Sequence, residues 1–234
     1  FLARRPSQRE LEEFIARSRD LPLSYNPIGI AKESPRGFKV DEASGVIGHG
    51  EQAFERAKLA LAEWQHFDFG WVELFPRGAA IEPGSVVAIL VHHLGFWSIN
   101  GCRVVYTTGD RRTGSSFGFA YGTLTNHAEL GEEIFEVSLR PETEEVVYRI
   151  RAVSKPQATL ARIGYPFTRM LQARFRRDSI VALREAIKDI DRQVSTTRVS
   201  GWVKRSSGAG IMNPPADAGG PDFIATPRSL TPSP

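Results

Sequence analysis

At 234 residues, 41% hydrophobic and 24% charged, the chain has the size and composition of an ordinary globular protein of one domain, or at most two small ones. No apolar run approaches the roughly 18 residues of a membrane-spanning helix, and the opening FLARRP is too short and too quickly basic for a secretory signal. The single cysteine, Cys102, excludes an intrachain disulfide and a thiolate-rich zinc site, which fits a reducing, cytoplasmic setting.

The chain starts at Phe1 rather than at a methionine, so further residues upstream are expected. Its 30 basic and 27 acidic residues leave only +3, but they are segregated. Residues 129–145 hold seven acids against one base, Arg140, whereas residues 146–177 hold eight bases and no acid. Such blocks either pair across neighbouring elements or present a basic patch to nucleic acid.

The first helix is predicted from Ser7 to about Arg19, because Ser7 and Glu10 have capping-box spacing and Leu11, Phe14, Ile15 and Ser18 share a face. Between Asp20 and Gly50, prolines and glycines allow only short extended pieces, Tyr25 to Ile30 and Phe38 to Val40. A second amphipathic helix is predicted from about Glu51 to Phe67, carried by Phe54, Ala57, Leu61 and Trp64.

The period then changes to alternation. Six strands are predicted: Trp71 to Phe75, Val86 to His92, Cys102 to Thr107, Ser116 to Leu124, Glu132 to Arg140 and Glu145 to Ser154. Short connections make them an antiparallel meander. A loop at Pro141 to Glu144 would set Leu139 opposite Val146, Val137 opposite Tyr148, Phe135 opposite Ile150 and Glu133 opposite Ala152. On the other face, Glu136 would meet Arg149 as a cross-strand ion pair.

After Pro166 a long helix is predicted to about Val194. Phe167, Leu171, Phe175 and Ala182 lie on one side of it, and Ile180, Leu183, Ile187, Ile190 and Val194 on another, so it is expected to meet two surfaces. The expected organisation is a single α+β domain over 1–195 and a disordered Ser/Thr/Gly/Pro-rich tail over 196–234, whose Thr-Pro and Ser-Pro pairs are candidate phosphorylation sites.

This element order is similar to the helix-grip fold of Bet v 1, START and polyketide-cyclase proteins: a curved antiparallel sheet of about six strands gripping a long C-terminal helix, here with two N-terminal helices. The resemblance implies an apolar or amphipathic small molecule between sheet and helix. Trp97, Phe117, Phe119, Tyr121, Phe135, Val137, Tyr148 and Ile150 would line either such a cavity or a plain packed core.

A more specific resemblance rests on five segments: CRVVY at Cys102 to Tyr106, FGFAYGTLTNH at Phe117 to His127, GEEIFEV at Gly131 to Val137, SKP at Ser154 to Pro156 and GYPFTRMLQARF at Gly164 to Phe175. In order and spacing, from about Trp64 to Ala186, they resemble the uncharacterised protein family UPF0548, also called domain of unknown function DUF1990. YNPIGI at Tyr25 to Ile30 resembles that family's Tyr-x-x-x-Gly motif, but Ile30, Ala31 and Lys32 depart from the small residue and threonine expected after it. The resemblance implies no particular activity, and the tail after Ser195 has no counterpart in it.

Alternation puts Phe117, Phe119, Tyr121 and Thr123 on one face of their strand. Gly118, Ala120, Gly122 and Leu124 lie on the other, a small-residue side open to close approach by another element, such as the long helix, or to a pocket. Glu133 stands out because the register puts a carboxylate on an apolar face, where it would be a candidate acid or base with His127 or Tyr121, or a solvated rim residue. Arg169, Gln172 and Arg174 are candidates for an anionic ligand or for salt bridges to the acidic block. The basic run Arg162 to Arg177 carries the alternative of nucleic-acid or protein binding.

Adjacent His92 and His93 point to opposite faces, and His49 and His66 are isolated, so no metal site is expected; no cofactor is expected either. Serine-hydrolase, phosphate-loop and dinucleotide signatures are absent. The readings left standing are small-molecule binding, an enzyme of cyclase, hydrolase or isomerase type, and a nucleic-acid or protein interaction module.

Overall fold

A computed structural model describes residues 2–33, 35–109, 114–156 and 169–188. Helix α1 (Gln8–Ser18) starts where the capping box predicts: Ser7 caps it and Glu10 reaches back to the Ser7 backbone. At its C-terminal end the Arg103 guanidinium donates to the carbonyls of Arg19 and Leu21, at 2.7 and 2.9 Å, where a cation is favoured.

Seven strands make up the rest of the frame: β1 (Lys39–His49), β2 (Val72–Phe75), β3 (Val86–His93), β4 (Phe96–Gly109), β5 (Ser116–Thr123), β6 (Glu129–Leu139) and β7 (Glu145–Pro156). They make one antiparallel sheet in the order β1-β7-β6-β5-β4-β3-β2. Helix α2 (Gly50–Ala62) joins β1 to β2, and helix α3 covers residues 169–188.

The six predicted strands are present as a meander, β4 longer than expected. The hairpin β6–β7 has the register read from the sequence, including Glu133 opposite Ala152. Glu136 and Arg149 meet at 3.2 Å, so part of the charge segregation is neutralised within the sheet.

Three expectations are corrected. Residues 39–49 form a full strand rather than a three-residue extended piece. β1 is a polar edge strand paired only with β7 and bulged between Val46 and Gly48, so it lacks a strong apolar alternation. Tyr25 to Ile30 is not extended: it turns into a 3-10 turn at Ile30–Lys32. The second helix stops at Ala62 because Trp64 adopts a left-handed backbone (φ 60) that turns its indole into the core, edge-on to Phe119 at 4.7 Å.

The two faces of the sheet are covered by different parts of the chain. Leu11 and Ile15 of α1 pack on Ala88 and Leu90, and the segment from Leu23 to Ala31 packs on Ala120, Ile134 and Val153. On the opposite, inner face, α2 contributes Phe54, Ala57 and Leu61 and α3 contributes Leu183 and Ile187 to a core with Phe117, Phe119, Phe135, Val137 and Tyr148. The C-terminal helix is thus held against the sheet as the helix-grip arrangement requires.

Residues 169–188 show the change of helix surface. Leu171 and Phe175 pack at the edge of the inner core, Ser179 hydrogen-bonds Tyr148 Oη at 3.0 Å, and Leu183 and Ile187 lie within the core. Phe167, Ile190, Val194 and the tail 196–234 lie outside the described residues.

Candidate functional site

The inner face is filled at one end and hollow at the other. Where α2 lies, the aromatic side chains of β5, β6 and β7 close on Trp64, His66 and Phe67. Beyond the reach of α2, a cleft of about 660 Å³ lies between the sheet and the first turns of α3. Its lining comes from the C-terminal ends of β3, β5 and β7, the N-terminal ends of β4 and β6, and residues 171–176 of α3. The core and cavity readings of the aromatic face are both realised, at opposite ends of the same strands.

The walls divide by chemistry. Phe67, Trp71, Val72, Ile89, Val91, Leu171 and Phe175 make an apolar side, and Asn100, Tyr121, Thr123, His127, Glu129, Glu133, Gln172 and Arg176 make a polar one. Trp71 is fixed by its indole N–H donating to Asp178 at 3.0 Å, and its ring is covered by the Arg174 guanidinium at 4.5 Å.

Glu133 is the focus of the polar side. It accepts a hydrogen bond from Tyr121 Oη at 2.8 Å, and burial pushes its carboxyl up to about 7, against the opposing effects of Tyr121 and the Arg176 charge. Tyr121 is pushed well above the usual phenol range, first by burial and then by the Glu133 charge, so it is the donor of the pair.

His127 lines the same cleft, but its hydrogen bond is to the Glu129 backbone N–H, accepted by Nδ1 at 2.9 Å. Burial lowers it to about 4, leaving a neutral ring at pH 7 with its proton assigned to Nε2. Glu129, itself raised by burial, receives Gln172 Nε2.

Of the side chains expected to contact a ligand, Tyr121 and Gln172 line the cleft, as do Glu133 and His127. Phe117, Phe119, Phe135 and Tyr148 belong to the filled end. Trp97 lies on the outer face, stacked on His92 at 4.7 Å and bridged to Leu2, because alternation along β4 turns Ser98 and Asn100 inward instead. Arg169 pairs with Asp41 of β1, and Arg174 with Asp178 at 3.2 Å. Cys102 is buried and its thiol raised by that burial, an inert core position.

The small-residue side of β5 packs against the N-terminal segment and not against α3. A Cβ on Gly122 would stand 2.3 Å from Tyr25 Oη. That contact leads to a residue that alternation alone did not single out, Glu132, which is 2% exposed on the outer face. It accepts from Tyr25 Oη at 2.6 Å, Gly29 N at 2.8 Å, Ala31 N at 3.2 Å and Tyr106 Oη. The signal was the Tyr-x-x-x-Gly spacing, which presents a phenol and a backbone N–H to one carboxylate.

Among the described residues no group of histidine, cysteine and carboxylate side chains is arranged to hold a metal ion, and no helix is long and apolar enough to cross a membrane.

Fold and cleft together define an α+β protein of helix-grip architecture with a half-apolar, half-polar pocket. Residues 24–182 match the family described as Domain of unknown function (DUF1990), and the chain belongs to it. A UPF0548 protein of Dictyostelium discoideum is 32% identical over 206 residues, covering 80% of this chain and 95% of the relative. A UPF0548 protein of Deinococcus radiodurans is 32% identical over 188 residues, covering 74% and 92%.

Among solved structures, a norcoclaurine synthase point mutant from Thalictrum aligns at 10% identity and TM-score 0.46, covering 68% of this chain and 99% of that one. Human STARD10 aligns at 9% identity and TM-score 0.41, covering 82% and 86%.

Proposed function

We propose that this protein binds an amphipathic small molecule in the cleft between the sheet and α3. The observation that carries the reading is the 660 Å³ hollow with one apolar wall and one polar wall, in a fold whose other half is tightly packed. The apolar body of the ligand lies against Phe67, Trp71, Val91, Leu171 and Phe175, and its polar end meets Tyr121, Glu133 and Gln172. The neutral fluorophore N-phenyl-1-naphthylamine tests this. Its emission is expected to rise and shift to the blue on saturable binding, and Leu171→Trp, which fills the cleft, to weaken binding by about tenfold or more. No saturable binding, or unchanged binding in the filled variant, contradicts the reading.

A second reading, proton transfer within the bound molecule, is favoured by the Tyr121–Glu133 pair, because a carboxyl raised to about 7 is matched to acid–base work near neutral pH. Once a ligand is identified, deuterium incorporation at an acidic C–H in D2O, abolished by Glu133→Gln with binding retained, is the expected result. Incorporation that survives the substitution removes Glu133 from that role.

A further inference from the structure

We propose that the polar end of the cleft selects a cation, an ammonium carried on an apolar body, over a carboxylate-headed ligand of the same shape. The proposal rests on the cleft-binding reading and names its ligand class.

The reason is an uneven distribution of paired charge. Glu129 and Glu133 both face the cleft, with Asp41 of β1 close behind them. Among the described residues, the positive groups near these three carboxylates are Arg169, Arg176 and Lys39, and all three act on Asp41, Arg169 as its ion pair and Arg176 at 3.6 Å. Glu133 receives a neutral phenol and Glu129 a neutral amide, at Tyr121 and Gln172. His127 and His93, which also line the cleft, are both lowered by burial. The neighbouring Glu132 is satisfied on the opposite face by Tyr25, Tyr106, Gly29 and Ala31 and plays no part.

These cations are thus gathered on Asp41, while the two glutamates that face the cleft accept hydrogen bonds from neutral groups. A ligand carboxylate placed beside Glu133 would face two acids, and the guanidinium that lines the cleft among the described residues, Arg176, is already shared with Asp41. An ammonium supplies the missing positive charge within hydrogen-bond reach of Glu133, and the apolar wall opposite gives its body a place to lie. The wall separates this from a mere acidic surface, where a cation would stay hydrated.

Proton counting follows from the same geometry. The groups around Glu133 are Tyr121 from β5, Cys102 from β4, Glu129 from its own strand, Tyr148 from β7, Asp41 from β1 and Arg176 from α3. Of these, Glu133 is the one brought to about 7. An ammonium arriving beside it favours the ionised form and drives a proton off; an arriving carboxylate holds the proton on.

The test displaces N-phenyl-1-naphthylamine from the full chain with dodecylammonium, dodecanol and dodecanoate, each below its micelle concentration, at pH 7.5 and low salt. Dodecylammonium is expected to act at a concentration about tenfold or more below dodecanoate, the size of one favourable charge contact, with dodecanol between them. Glu133→Gln is expected to shrink that gap to about threefold or less, each ligand being read relative to dodecanol on the same variant; Glu129→Gln gives the same comparison if the first variant folds poorly. Calorimetry in two buffers of different ionisation enthalpy is expected to show proton release with dodecylammonium and none with dodecanol. Dodecanoate binding as well as or better than dodecylammonium overturns the proposal and leaves cleft binding standing. Failure of all three to displace the probe, dodecanol included, overturns both.

Discussion

Two adjacent glutamates on β6 have opposite consequences because a strand sends successive side chains to opposite faces. Glu132 is buried with four donors, so removing its charge leaves Tyr25, Tyr106 and two backbone N–H groups without their acceptor. Glu132→Ala is expected to lower stability to urea by about 3–5 kcal/mol, and Tyr25→Phe, which removes a single donor, by about 1–2 kcal/mol. Equal, small effects of the two substitutions would contradict an anchoring role for Glu132.

Glu133 is buried with one neutral donor and is raised to about 7, whereas a glutamate in an unfolded chain titrates near about 4.3. The folded state therefore holds the extra proton between those values, and Glu133 makes stability fall as pH rises through that window. His66, buried and lowered to about 3, and His127, lowered to about 4, do the reverse: stability rises with pH up to their unfolded value of about 6.5. Glu133→Gln removes the falling contribution alone and keeps an acceptor for Tyr121. Its melting temperature is expected to exceed that of the parent at pH 8 and to match it near pH 4. A pH-independent difference would show that Glu133 is not raised in the folded state.

At the scale of elements, the outer cover is held by a few local devices whose loss should be separable from the cleft. Ser7→Ala removes the side chain that caps α1 and is expected to cost about 1 kcal/mol. Gly122→Ala drives a methyl into the anchored Tyr25 ring and is expected to cost about 1–3 kcal/mol, read from the urea midpoint. Both variants should still bind N-phenyl-1-naphthylamine, since neither position contributes to the apolar wall.

Elements were legible in the sequence where their signals are local. The capping box, the alternation of β5 and the four-residue loop between β6 and β7 each specify their own geometry, and all three could be read, including the register that turns Glu133 inward. β1 could not, because an edge strand with one buried residue, Ile47, carries its identity in its pairing with β7. The cleft was legible only in part. Tyr121, Gln172, His127 and Glu133 were found from the strand and helix patterns. The split of the aromatic face into a filled and a hollow half depends on α2 ending at Ala62, and that end is set by Trp64 reaching a distant core.

For the molecule as a whole, part of the charge segregation joins elements, as in Arg149–Glu136, Arg151–Glu42 and Arg169–Asp41. The described part of the basic run, Arg169 to Arg177, is committed to Asp41 and Asp178, and Arg149 and Arg151 pair with Glu136 and Glu42. A short DNA duplex or single-stranded RNA is accordingly expected to bind weakly even at low salt; tight binding that falls steeply with added salt would contradict this. The distinctive remaining feature is the hollow half of the inner face.

The most direct test of that assignment is a titration of isotope-labelled protein with dodecylammonium followed by amide and methyl NMR shifts. Shifts confined to Val72, Ile89, Val91, Tyr121, Glu133, Leu171 and their neighbours, saturating at one ligand per chain, are predicted. Shifts scattered over the outer face around Leu11, Leu90 and Trp97, or no saturable shifts at all, would contradict a binding site between the sheet and α3.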